Sequence, residues 1–162
     1  MWDGWEKAFG GVRVDGATLP GYRRSFSKKS TRNWGTRDVP GPTLGLEPAA
    51  DAACVGTAFE LADAEQSDIV ELLRKREGAS FSLTELPVRL PEGCQITALT
   101  PVDDRNARTY IGTRTLVERA ALAKTARGIS GACADYVRNI HAKLESLGIV
   151  DSDVEELLRL IG

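Results

Sequence analysis

A change of hydrophobic period after Tyr110-Ile-Gly112 limits this 162-residue chain to few architectures. Before that point, short apolar runs alternate with clusters of Gly, Pro and charge, the pattern of strands and turns. After it, apolar residues recur at the 3.6-residue spacing of amphipathic helices. Three helical segments are predicted: Leu116 to Arg127, Gly131 to Leu147, and Ser152 to Ile161. Gly128 is placed to end the first, Ser130 to cap the second, and Gly148 to end it. Asp151 or Ser152 is placed to cap the third. The stripe Tyr136, Val137, Ile140, Leu144, Leu147 is suited to packing the middle helix onto a sheet. Strands first and helices last define the α+β class. With no linker, internal repeat or low-complexity stretch, residues 1–162 read as a single domain.

Within the first half, Ala17 to Phe26 reads as extended and broken at Pro20-Gly21, and Thr31 to Pro42 as a loop of glycines, prolines and charges. Leu44 to Glu47 is a short strand ended by Pro48 and an Ala-Ala-Asp turn. Cys54 to Leu61 alternates large and small residues, as a strand lining a tight sheet or barrel would. Two further strands are expected at about Phe81 to Leu90 and Gln95 to Thr100, joined by a Pro91-Glu-Gly turn, with Pro87 marking an edge or bulge.

Composition excludes several classes. Hydrophobic residues make up 42% and charged residues 27%, ordinary for a soluble globular protein. A net charge of -2 gives no basic footprint for nucleic acid. Arg23-Arg24 and Lys28-Lys29 are locally basic and read as a solvated face. Trp2, Trp5 and Trp34 are not spaced as a base-stacking stripe on one element. No run approaches the roughly 18 apolar residues of a membrane span, and Met1 is not followed by a secretory signal pattern. Three well-separated cysteines, Cys54, Cys94 and Cys133, with the lone His141, make no plausible zinc site. Free thiols in a reducing cytoplasm are the expectation, with no metal, nucleic-acid or membrane partner.

Between the two halves lies an amphipathic helix that delivers a carboxylate. In Ile69-Val-Glu-Leu-Leu-Arg-Lys-Arg-Glu-Gly78, the residues Ile69, Val70, Leu72 and Leu73 form the buried stripe, Asp63 or Ser67 can cap the start, and Gly78 can end it. Glu77 then stands at the negative end of the helix dipole, an unfavourable place for an acid that serves stability alone. The bland account is a solvated acid offset by Arg74 and Arg76. Other chemistry is poorly represented. His141 lies on a helix beside the apolar stripe, and Asp103-Asp104 reads as a solvated turn before Arg105. No G-x-S-x-G, P-loop or dinucleotide fingerprint occurs.

The order of these pieces resembles one family, the ChaC-like γ-glutamylcyclotransferases. Tyr22-Arg-Arg-Ser-Phe26, Ser30-Thr31 and the loop Arg32 to Gly41 are similar to the family's arginine-aromatic strand, its Ser-Thr, and its loop ending in Pro-Gly. Cys54-Val-Gly-Thr-Ala-Phe59 resembles its Cys-x-Gly-x-Ala-aromatic strand, and Arg76-Glu77 its Arg-Glu at a helix end. Tyr110-Ile-Gly112, the Asp135-Tyr136 helix and Leu147 to Asp151 complete the set.

The resemblance implies a small mixed β-barrel with flanking helices, the C-terminal ones packed on the sheet. It implies cyclisation of a γ-glutamyl peptide, with glutathione as substrate, to 5-oxoproline and Cys-Gly, with no cofactor. Glu77 would be the acid–base carboxylate, and Tyr110, Arg24 and Thr36 are weaker candidates for lining the substrate pocket. Family members carry a Tyr-Gly-Ser-Leu loop just before the segment that Met1-Trp2 resembles. Its backbone N–H groups would grip the γ-glutamyl moiety as a nest of amides grips an anion. That loop and its strand are expected upstream, with Met1 an internal methionine of a longer protein. Two alternatives stand beside the enzyme. One is a non-catalytic small-ligand or protein-binding module on the same fold. The other is a hydrolase of an isopeptide-like bond, with Glu77 activating water.

Overall fold

The computed structural model describes residues 5–62, 66–77 and 81–162, with the side chains of Trp5, Arg76 and Glu77 outside the described set. A 3-10 turn, Trp5–Phe9, leads into two long strands, β1 (Val12–Ser30) and β2 (Gly41–Glu60). They pair antiparallel from Val12↔Glu60 to Ser30↔Gly41. Helix α1 (Gln66–Glu77) follows, then the hairpin of β3 (Phe81–Arg89) and β4 (Gln95–Asp103). The sheet order is β2-β1-β3-β4, and every ladder among the described residues is antiparallel. Among the described residues a single pair, Thr18↔Arg89, joins β3 to β1.

The two long strands correct the expectation of shorter ones broken at Pro20-Gly21 and Pro48. Neither position ends a strand. Pro20 still faces Ala53 and Tyr22 faces Pro48, so residues 49–52 bulge out opposite Gly21. Gly21 takes φ 75° and Gly16, at the preceding register shift, φ 81°. These are left-handed values that glycine adopts without penalty, and such bulges bend a strand without ending it. The expected Ala-Ala-Asp turn is instead a bulge inside a continuous ribbon. Pro87 pairs with Thr97 on a stretch of β3 where no ladder to β1 is described, so its missing N–H costs nothing there.

The helical half follows: α2 (Leu116–Thr125), a two-residue hairpin of β5 (Arg127–Gly128) and β6 (Gly131–Ala132), α3 (Cys133–Ser146) and α4 (Ser152–Ile161). Thr115 and Glu118 form a reciprocal capping box at the start of α2. Two expected boundaries need correcting. Gly128 pairs with Gly131 in the small hairpin rather than ending α2, whose C-cap is Ala126. Ser130 does not cap α3; its backbone N–H donates to the Asn33 carbonyl, and the N-cap position, Ala132, has no side-chain cap. Gly148 leaves α3 with φ 66°, as a helix-ending glycine does. Asp151 caps α4 by accepting from Val154 N–H at 3.2 Å.

Val137, Ile140 and Leu144 of the α3 stripe are fully or nearly buried, with Leu157 of α4 and Phe26 of β1, in the main core. Each such side chain contributes roughly 1.5–3 kcal/mol of burial. A smaller cluster, Ala17, Leu19, Cys54 and Val88, fills the space between the ribbon and the β3–β4 hairpin. All three cysteines are free; Cys54 and Cys133 are buried and Cys94 is exposed. No described helix is long and apolar enough to cross a membrane.

Candidate active site

Glu77 is the last residue of α1, as the amphipathic pattern predicts. Ile69 is buried, while Val70, Leu72 and Leu73 are half-buried, so the stripe faces the protein and carries the helix end with it. The Glu77 and Arg76 side chains, and the predicted caps Asp63 and Gly78, lie outside the described residues. Ser67, the other predicted cap, falls inside the helix and turns its hydroxyl to Asp68.

The three weaker candidates have different surroundings. Thr36 is exposed and closes its own turn, exchanging hydrogen bonds with Val39: Thr36 N–H donates to the carbonyl at 2.9 Å, and Val39 N–H to the threonine hydroxyl at 3.1 Å. Arg24 is not on a solvated face. Its guanidinium donates to Asp151 Oδ2 at 3.0 Å and to the Val55 carbonyl, tying β1 to β2 and to the start of α4. Tyr110 alone enters a buried polar cluster, where its hydroxyl donates to Glu47 Oε1.

That cluster was not anticipated. Glu47 of β2 and Asp103 at the end of β4 are 3% and 8% exposed. Ser27 donates to Asp103 Oδ2, and the buried Arg119 of α2 donates to Ser25 Oγ at 2.9 Å. Burial pushes the Glu47 carboxyl up. Hydrogen bonds from Tyr110 and Ser25, with the Arg23 and Arg105 charges, outweigh this and hold it below its usual value. Asp103 goes the other way. Burial raises it to about 6, Glu47 adds to the rise, and the Ser27 hydrogen bond and Lys28 oppose it. Its Oδ1 has no hydrogen-bond partner. The reading of Asp103 as a solvated turn residue is therefore corrected: it ends a strand inside the protein. Ser25 and Ser27, two apart on β1, were the available signal, since that spacing places both on one face of a strand.

Two glycines make room for this cluster. A methyl group on Gly45 would strike the Asp103 carboxylate, and one on Gly112 the Tyr110 hydroxyl and Glu47. Chemically the arrangement is a clasp on the turn 104–109: Ser27 holds Asp103 at one end and Glu47 holds Tyr110 at the other. Among the described residues, no three His, Cys, Asp or Glu side chains gather as a metal site.

Asp103 makes stability depend on pH. Its folded-state pKa lies above the ordinary 3.8, so its contribution is fully present below about pH 4 and is lost as pH rises through about 6. Relative to Asp103→Asn, the parent should lose up to about 1.4 kcal/mol per pH unit across that window, then level off. Urea unfolding of both proteins from pH 4 to 8 tests this, and a constant gap would remove the shifted carboxyl.

Comparison with known proteins agrees with this architecture. The model of the family described as ChaC-like protein matches residues 5–162. The chain belongs to that family. It is 30% identical over 148 residues to "Gamma-glutamylcyclotransferase 2-3" of Arabidopsis thaliana, covering 86% of this chain and 74% of that protein. It is 26% identical over 156 residues to "Glutathione-specific gamma-glutamylcyclotransferase" of Escherichia coli (strain K12), covering 95% and 67%. A solved structure of a yeast γ-glutamyl cyclotransferase specific to glutathione superposes with a TM-score of 0.83 at 18% identity, over 93% of this chain and 87% of that one. At that identity the likeness concerns the fold.

Proposed function

We propose that this protein is a glutathione-specific γ-glutamylcyclotransferase, releasing 5-oxoproline and Cys-Gly, with Glu77 as its acid–base group. The family match over residues 5–162 carries the reading, because both curated relatives are named gamma-glutamylcyclotransferases and one of them is named as glutathione-specific. The Arg76-Glu77 pair at the end of α1 supports the placement of the base.

The chemistry is an intramolecular acyl transfer. The Glu77 carboxylate takes a proton from the substrate's α-ammonium. The freed amine attacks the γ-carbonyl carbon, a new C–N bond closes the five-membered ring, and the amide bond to cysteine breaks. Glu77 returns its proton to the departing cysteine nitrogen, and the second proton, shed by the attacking nitrogen as the ring closes, completes the Cys-Gly ammonium, so no net proton is consumed and no cofactor takes part. A carboxyl of raised pKa suits both steps, and a helix C-terminus favours the protonated form. Holding the amine against the carbonyl supplies much of the acceleration. Tyr110, fixed by Glu47, lies in the pocket wall in this reading.

The sheet would curl into a small barrel in this reading, which the return of β4 to β2 at Asp103 and Gly45 supports. The protein would be a single domain working in the cytoplasm. Incubating the full-length natural protein with glutathione tests the reading, with 5-oxoproline and Cys-Gly as expected products. Release of free glutamate would instead indicate hydrolysis, and no turnover would sink the assignment.

A further inference from the structure

A second feature lies between the ribbon, the β3–β4 hairpin and α3. Lys28 and Ser30 of β1, Trp34 of the following loop, Thr43 of β2, Phe81 of β3 and Tyr136 of α3 line an open cleft of about 220 Å³. This is smaller than the roughly 300 Å³ at which pockets begin to take drug-sized ligands, and suits a fragment of dipeptide size.

Its walls are held in place. The Trp34 and Tyr136 rings lie 5.0 Å apart at 32°. Tyr136 stands edge-on to the buried Phe26, and its hydroxyl accepts from Leu44 N–H at 3.2 Å. Trp34 N–H donates to Ser30 Oγ at 3.1 Å. Lys28 Nζ sits 3.7 Å from the centre of the Phe81 ring. The cleft therefore offers one cation, hydroxyl groups and aromatic faces. That combination recognises a carboxylate attached to a short body carrying sulfur or apolar groups. A charge-assisted contact serves the carboxylate, and aromatic rings attract sulfur.

Phe81, one wall of the cleft, opens β3 only four residues after Glu77. Four residues span at most about 14 Å, and the two residues of Cys-Gly about 7 Å. The cleft wall thus lies at most about 14 Å from the end of α1, the neighbourhood in which a substrate reacting at Glu77 places its far end.

We infer that the cleft is the subsite for the Cys-Gly portion of the substrate. Lys28 Nζ pairs with the terminal glycine carboxylate, and Trp34, Tyr136 and Phe81 face the cysteine thiol. This rests on the function proposed above and adds to it a basis for preferring a γ-glutamyl peptide with a free C-terminal carboxylate over one capped as an amide.

The test separates binding from turnover. Calorimetric titration of the full-length protein with reduced Cys-Gly and with Cys-Gly amide should show the acid binding about tenfold or more tightly, the worth of one hydrogen bond to a charged group. Lys28→Met should abolish that preference and Lys28→Arg should retain it, with melting curves confirming that each variant is folded. The KM for glutathione should stand below that for its glycine amide in the parent and match it in Lys28→Met. Equal binding of acid and amide by the parent, or no binding of either, overturns the subsite. If the preference is found but glutathione is not cyclised, the subsite stands and the proposed reaction fails.

Discussion

Glu77→Gln is expected to lower 5-oxoproline release from glutathione by about 10²–10⁴-fold, the usual worth of a general acid–base group. The amide keeps the shape of the side chain but can neither take the substrate's ammonium proton nor return one to the leaving amine. The fold should survive, because the residue ends α1 and the helix is held by Ile69 and its half-buried neighbours. Replacing an acid at the negative end of the helix dipole should, if anything, stabilise the helix slightly. The assay is single-turnover release of 5-oxoproline, with the melting temperature measured in parallel. Activity within about threefold of the parent would return Glu77 to the role of a solvated surface acid.

Asp151→Ala should destabilise the protein by about 3 kcal/mol, because one carboxylate serves two elements. Oδ1 caps α4 and Oδ2 pairs with Arg24, whose side chain is 13% exposed against 14% for Asp151. Truncation loses the cap and leaves a nearly buried guanidinium with, among the described residues, the Val55 carbonyl as its hydrogen-bond acceptor. Against a typical domain stability of about 5–15 kcal/mol, that is a large share. Asp151→Asn keeps one acceptor oxygen, enough for the α4 cap but not for Arg24 as well, and should cost less than the alanine. Urea midpoints decide the matter: a loss under about 1 kcal/mol for Asp151→Ala would mean that the Arg24 pair contributes little.

Legibility in the sequence followed the range of the interactions. α4 is legible at its observed limits, with the cap narrowed only to Asp151 or Ser152, because capping and a 3.6-residue stripe are local signals. The start of α3 was misplaced because Ser130 has capping chemistry but is held by the distant Asn33 carbonyl. The long ribbon was cut short because Pro48 and Gly21 are local breakers, and only the partner strand shows that they form a bulge. Glu47, Asp103 and Arg119 were read as surface or passed over, since charged side chains seldom lie buried unless partners from elsewhere satisfy them. Those partners come from positions far away in the chain: Tyr110 for Glu47, Ser27 for Asp103 and Ser25 for Arg119. Glu77 is singled out by its place at the end of an amphipathic helix, and the order of motifs along the chain adds the role proposed for it.

The lone ladder pair between β1 and β3 bears on how the cleft meets its occupant. Among the described residues, one ladder pair joins ribbon to hairpin, while Lys29 N–H to the Thr109 carbonyl and Ile111 N–H to the Ser27 carbonyl tie β1 to the segment after β4. What spans the seam is side chain: Lys28 over Phe81, Ser27 on Asp103, and Val88 against Leu19 and Cys54. Such contacts can slide by fractions of an ångström without forfeiting a ladder bond. The spacing of the two cleft walls at this end is therefore set by the Lys28–Phe81 contact, so the residue proposed to meet the carboxylate is also the one that holds the walls apart.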